Sequence, residues 1–211
     1  MSSLLQRLIC TFRGSSIVSP GTSGAASAVG GPLSPTLSVP EGAEVATVAA
    51  GCFWGVEHIY RKYFADGKGL LDARVGYSGG STSSPNYREV CSDTTGHAEA
   101  LQIVFDPKIV SYETLIDFFF RMHDPTTVNR QGPDRGSQYR SAIFYHSDEQ
   151  RQIAEDVKQR LQKTFYASDP IATQIVPVEN FWDAETYHQL YLVKNPYGYE
   201  CPTHYLRTSP N

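Results

Sequence analysis

No Cys-x-x-Cys pair occurs in this chain; its four cysteines, Cys10, Cys52, Cys91 and Cys201, stand far apart in 211 residues. That spacing argues against a zinc knuckle or a thioredoxin-like dithiol motif. So few cysteines in so long a chain do not make a secreted disulfide scaffold, and a reducing compartment is expected. No apolar run approaches the ~18 residues needed to span a bilayer, so no membrane segment is expected. Positive charge is not in excess either: the net charge is −4. A nucleic-acid partner would need a concentrated basic face, so none is expected. No internal repeat is present, and Asp and Glu are absent from residues 1–40.

What is present is 40% hydrophobic and 19% charged, enough for one sizeable domain with its own core. Residues 1–40 are set apart by Ser, Gly and Pro, a composition that buries too little apolar surface to order itself. Leu4, Leu5, Leu8, Ile9 and Phe12 recur at helical spacing beside Arg7 and Arg13. Such a start resembles a mitochondrial transit peptide, and a plain disordered extension fits equally. Mitochondrion and cytoplasm both stay open. The globular pattern runs over 41–211, and a monomer is the default expectation.

Along that domain, Val45–Ala50 predicts a strand and Phe53–Phe64 a helix ending before Asp66-Gly67-Lys68-Gly69. Leu71, Ala73, Val75 and Tyr77 alternate as a second strand, which suggests a β-α-β crossover between parallel strands. Tyr87–Cys91 and Ala98–Phe105 read as a hairpin around a long turn. Ser111 can cap a helix running to Met122, and a strand is expected at Tyr139–Tyr145. Ser147 to Gln150 forms a capping box before a helix with Ile153, Val157 and Leu161 on one face. A strand at Thr173–Val178, a short helix around Ala184–Leu192 and a loop-like tail, Asn195–Asn211, complete the reading. The expected class is α+β, a two-layer sandwich with two helices on a mixed sheet.

Two residues carry candidate chemistry. Cys52, in Gly51-Cys52-Phe53-Trp54-Gly55-Val56-Glu57, lies where a strand gives way to a helix. Unpaired N–H groups and the helix dipole there favour a thiolate, the nucleophilic form of cysteine. The two rings that follow suggest a small apolar pocket, although a buried structural cysteine beside core aromatics fits the same position. Glu99 shares a strand face with Leu101, Ile103 and Phe105, so its carboxyl should be buried. A buried carboxyl without a basic partner stays protonated near neutrality and can donate a proton. Pairing with an arginine at the sheet edge is the alternative.

The blocks around these residues resemble the peptide methionine sulfoxide reductase A family. They are Gly51–Glu57, Gly76-Tyr77-Ser78-Gly79-Gly80, Asn86 to Cys91, Thr95 to Ala100, His123 to Thr127, Arg130 to Ser141, and Asn195-Pro196-Tyr197-Gly198-Tyr199. They follow in order from about Val45 to Arg207; residues 1–40 take no part. The resemblance implies a ferredoxin-like α+β fold and reduction of the S epimer of methionine sulfoxide, free or in oxidised proteins. It implies Cys52 as nucleophile and Glu99 as proton donor to the sulfoxide oxygen. It implies Tyr87 and Tyr139 as holders of that oxygen, Phe53 and Trp54 as the wall for the substrate methyl, and Asp134 as an orienting carboxylate. Cys52 sulfenic acid would then condense with a second thiol. Part of the family has two recycling cysteines after the Asn-Pro-Tyr-Gly-Tyr block; only Cys201 follows it here. A Cys52–Cys201 disulfide reduced by thioredoxin, or by dithiothreitol in vitro, is therefore expected, with no bound cofactor and no metal; an inert Cys201, with another thiol reducing the sulfenic acid, is the alternative. Pro133 stands where many relatives carry Asn, which stiffens the loop before Asp134.

Cys91 is read as a small packed residue, Cys10 as outside catalysis, and His123-Asp124 as a helix end. Phe118-Phe119-Phe120 is read as core, and Trp182 as packing. Two other readings stay in view. One is a cysteine-dependent hydrolase or acyltransferase pairing Cys52 with His97 or His188. The other is a binding protein switched by a Cys52–Cys201 disulfide.

Overall fold

The computed structural model describes residues 31–208. The amphipathic start from Leu4 to Phe12, the arginines Arg7 and Arg13, and Cys10 lie outside the described residues. In chain order the elements are β1 (Glu44–Ala50), α1 (Phe53–Phe64), β2 (Leu70–Ser78), α2 (Tyr87–Cys91), β3 (Ala98–Phe105) and α3 (Tyr112–Met122). There follow a short pair, β4 (Arg130–Gln131) and β5 (Asp134–Arg135), a 3-10 turn at Ser137–Tyr139, and β6 (Ser141–Tyr145). Helix α4 (Asp148–Thr164), β7 (Gln174–Pro177), β8 (Trp182–Asp183) and α5 (Tyr191–Lys194) complete the chain.

Six strands form one mixed sheet in the order β7-β6-β1-β3-β2-β8. Only β6 and β7 are parallel neighbours, joined by α4; β1 and β2 each pair antiparallel with β3. Strands β1 and β2 therefore run the same way, as the crossover through α1 anticipated, but β3 lies between them. The run β-α-β-β-α-β through α1 and α3, with strand order β6-β1-β3-β2, is compatible with a ferredoxin-like pattern.

One sheet face carries Val48, Val75, Leu101, Ile103, Phe105 and Ile143, which pack with α1, α3 and α4 into the main core. Three long helices cover this face rather than the expected two. Ser111 and Ser147 cap α3 and α4 by accepting from Thr114 N and Gln150 N. The Gln150 side chain does not close the box on Ser147; it accepts from His146 N at 3.0 Å and donates to Val45 O at 2.8 Å, tying α4 to β1. The far face is covered by chain that the composition grouped with the extension. Leu33, Leu37 and Val39 pack on Val45 and Val104, and Ser34 N donates to Gln102 Oε1 at 2.8 Å.

Three local expectations fail. Tyr87–Cys91 is a helix, not a strand, because Asn86 and Glu89 make a reciprocal capping box that closes one turn. Tyr139 ends a 3-10 turn, and the strand begins only at Ser141. No helix spans Ala184–Leu192: Ala184 N and the Gln189 side chain both bond Val75 O, and Leu190 takes a left-handed φ of 55°. Helix α5 starts after that break. Among the described residues no helix is long and apolar enough to cross a membrane.

Candidate active site

Gly51, at φ +91°, turns the chain out of β1, and Cys52 takes the N-cap position of α1 at 6% exposure. The backbone N–H groups of Trp54 and Gly55 favour the thiolate, although neither makes a capping hydrogen bond to the sulfur. They do not prevail. Burial first, then the Glu99 carboxyl and Asp134, push the Cys52 thiol well above the ordinary range. The expectation of a lowered thiol pKa is thus corrected: desolvation outweighs the helix start, and the resting group is a thiol.

Glu99 is 1% exposed and turned to the helix-covered face with Leu101 and Ile103. Its Oε2 accepts from Phe53 N at 2.9 Å, and among the described residues no arginine pairs with it. Burial pushes its carboxyl up to about 8, against the pull of the Phe53 N–H. Glu99 is therefore mostly a neutral acid at pH 7. Once neutral, it also ceases to repel negative charge on Cys52, so the two groups titrate as a pair.

Tyr87 opens α2, and Tyr139 closes the 3-10 turn. Burial and then Glu99 raise both phenols, and Tyr139 also senses Cys52 and Asp134. Both hydroxyls keep their protons and can donate. Their carriers are tied together: Asp93, just past α2, accepts from Ser137 N at 3.1 Å. Tyr87 N donates to Glu185 Oε1 at 2.8 Å, and Tyr77 Oη to Glu185 Oε2 at 2.8 Å. Asp134 Oδ1 accepts from Tyr199 Oη at 2.8 Å.

Phe53 is buried and Trp54 half-buried. The Trp54 ring stacks on Tyr191 at 3.7 Å between centroids, and its Nε1 donates to His188 Nδ1 at 2.9 Å. The His188 ring lies 5.0 Å from Phe53 and 4.6 Å from Tyr87, so it holds the aromatic wall together. His97 accepts from Gly80 N at 3.1 Å, and its other ring nitrogen meets Thr82 O at 2.8 Å. His97 thus uses both ring nitrogens away from Cys52, and His188 uses Nδ1 for Trp54.

Cys91 is exposed rather than packed, a direct result of α2 replacing the expected strand. Burial raises its thiol, and the neighbouring Tyr87 hydroxyl offsets part of that rise. Cys201 is 1% exposed, with Sγ 3.5 Å from Gln131 O and 3.3 Å from Thr203 Oγ1. The tail that carries it is loop-like but anchored, since Arg207 N donates to Arg121 O at 2.9 Å. Cys52, Cys91 and Cys201 are free thiols. Among the described residues no group of three or more His, Cys, Asp or Glu could hold a metal ion. The sequence reading missed Glu185, Tyr191, Tyr199 and the bond from Trp54 to His188. Tyr199 lies inside the last matched block and Tyr191 just before it, whereas Glu185 falls between blocks and carries no sequence signal.

The family model for peptide methionine sulfoxide reductase matches residues 44–209. The peptide methionine sulfoxide reductase MsrA of Methanosarcina mazei is 54% identical over 154 residues, 73% of this chain and 71% of that one. The crystal structure of Mxr1 from Saccharomyces cerevisiae in reduced form superposes with a TM-score of 0.79 at 49% identity, covering 83% of this chain and 99% of that one. Mxr1 in complex with Trx2 gives a TM-score of 0.59 at 36% identity, covering 83% and 99%. With the match spanning the domain from β1 through the anchored tail, this chain belongs to the peptide methionine sulfoxide reductase family.

Proposed function

We propose that this enzyme reduces the S epimer of methionine sulfoxide, free or in oxidised proteins, with Cys52 as nucleophile and Glu99 as acid. The observation that carries this reading is a buried, neutral carboxyl beside a buried thiol. A sulfoxide oxygen leaves poorly unless protonated, and Glu99 is the group present that can protonate it near pH 7. Tyr87 and Tyr139 would donate to the same oxygen, and Asp134, held by Tyr199, would orient the site. Phe53 and Trp54 would receive the substrate methyl, which a dry aromatic wall selects.

In this scheme the Cys52 sulfur bonds the sulfoxide sulfur while Glu99 gives its proton to the oxygen. The thiol proton restores Glu99, the oxygen passes to Cys52, and methionine leaves, with no net proton consumed. Cys201 then attacks the sulfenic acid, forming the Cys52–Cys201 disulfide and water. The Mxr1–Trx2 complex supports thioredoxin as the reductant of that disulfide. A catalytic domain over 41–211 goes with this reading.

The test is turnover of the separated S and R epimers with dithiothreitol, with Cys52→Ser as control. Reduction of the S epimer alone, abolished in Cys52→Ser, is expected. Equal reduction of both epimers, or activity surviving in Cys52→Ser, would reject the assignment. A non-reducing mass map of the oxidised protein checks the pairing; Cys52 joined to Cys91 would reject Cys201 as partner.

A further inference from the structure

Cys201 and His204 are the two ends of one tight turn, closed by His204 N donating to Cys201 O at 3.0 Å. His204 is buried, and its Nε2 lies 2.7 Å from Ala50 O, two residues before Cys52. Since a carbonyl only accepts, Nε2 carries the proton, and Nδ1 is a buried nitrogen with no partner among the described residues. The ring lies directly on α1: a Cβ at Gly55 would come within 2.2 Å of Nδ1. A Cβ at Gly51 would stand 2.6 Å from Gln131 Cβ and 3.5 Å from His204 Nε2. The two glycines flanking Cys52-Phe53-Trp54 thus leave a notch that the tail and the β4 strand fill. Between the turn's ends, Thr203 Oγ1 donates to Gln131 Oε1 at 2.7 Å, and Gln131 O faces the Cys201 sulfur.

We infer that His204 is a positioning residue for the resolving step, holding Cys201 in register with the strand–helix junction that carries Cys52. The inference rests on the reading of Cys201 as the resolving thiol. His204 touches neither substrate nor reacting sulfur; it acts through the turn. The step served is attack of the Cys201 sulfur on Cys52 sulfenic acid. An S–S bond forms, the S–O bond breaks, and the thiol proton leaves with the hydroxyl as water. Loss of the ring frees the turn and lowers the effective concentration of Cys201 at Cys52, while the Glu99–Cys52 pair is untouched.

The experiment uses reduced full-length protein mixed with methionine S-sulfoxide and no reductant. It compares wild type, His204→Ala and His204→Gln, whose amide keeps a donor for Ala50 O. Methionine release reports the first step, and loss of paired thiols with a mass map reports the second. In His204→Ala, methionine release should stay within about twofold of wild type while disulfide formation slows about tenfold or more, with sulfenic acid trapped by dimedone. His204→Gln should recover part of that rate, and turnover with dithiothreitol should match wild type. Disulfide formation at the wild-type rate in both variants overturns the inference. So does an equal slowing of both steps, which would make His204 a residue of the fold alone. Wild-type protein that releases no methionine would instead reject the parent reading, and one that joins Cys52 to another thiol would reject Cys201.

Discussion

At neutral pH Glu99 carries a proton that a carboxyl in water would have lost, and Cys52 holds its own more firmly than a free thiol does. Both follow from desolvation, and both set pH behaviour. With its carboxyl pushed up to about 8, Glu99 should lose its donor proton above that pH, and the rate of methionine release in a single turnover should fall through it. Glu99→Gln should reduce that rate by about 100-fold or more, the usual scale for a positioned acid. A variant that retains full rate would exclude Glu99 as donor. The sign for stability is also fixed. Below the ordinary carboxyl range, folded and unfolded chains both bind the proton. Between there and about 8 only the folded chain binds it, so the stabilisation is lost as pH rises through that window. Urea midpoints measured at pH 5 and pH 8 should fall more for wild type than for Glu99→Gln. Glu99's burial was legible because strand alternation places it among Leu101, Ile103 and Phe105. The thiol's shift was not, because how deeply a helix start is buried depends on what packs over it.

At the scale of elements, α2 shows a local rule overriding another. Tyr87-Arg88-Glu89-Val90-Cys91 has the β-favouring residues of a strand, yet Asn86 and Glu89 at capping-box spacing decide it. Under the role proposed for Tyr87 the consequence is functional, because the helix sets where its hydroxyl points. Asn86→Ala should remove about 1 kcal/mol from α2 and speed amide exchange at Glu89 and Val90 about fivefold. Sulfoxide reduction should weaken with it as Tyr87 loses its position; exchange at the wild-type rate would show that the box does not hold the helix. Farther along, Ala184–Leu192 has a helical look, but the Val75 carbonyl and the Gln189 side chain draw it to the sheet edge. Long-range bonds of that kind leave no periodic trace in sequence.

At the scale of the molecule, the matched motifs carry residues that gather around Cys52 and Glu99, whereas composition grouped with the extension residues that pack on the sheet. Leu33, Leu37 and Val39 look like sparse apolar residues in a polar stretch, but they cap Val45 and Val104 on the far side of the sheet. A chain starting at Glu41 should therefore lose on the order of 3 kcal/mol of stability, seen as a lower urea midpoint. Its single-turnover rate at 25 °C should remain near that of the full chain, since the segment touches the other face. An unchanged midpoint would show that this cover contributes little.

The path of that segment has a practical side. The chain joins the described domain at Gly31, packed by Val178 on the sheet face turned away from Glu99 and Cys52. A fluorophore or bead carried at the exposed position of Pro35 would approach from behind, on the side away from Glu99 and Cys52. A label at the exposed Thr208 would stand four residues past His204, on the segment that holds Cys201. Surface immobilisation and two-colour reporters should accordingly be built on the segment from Leu33 to Val39, with the stretch after His204 left bare.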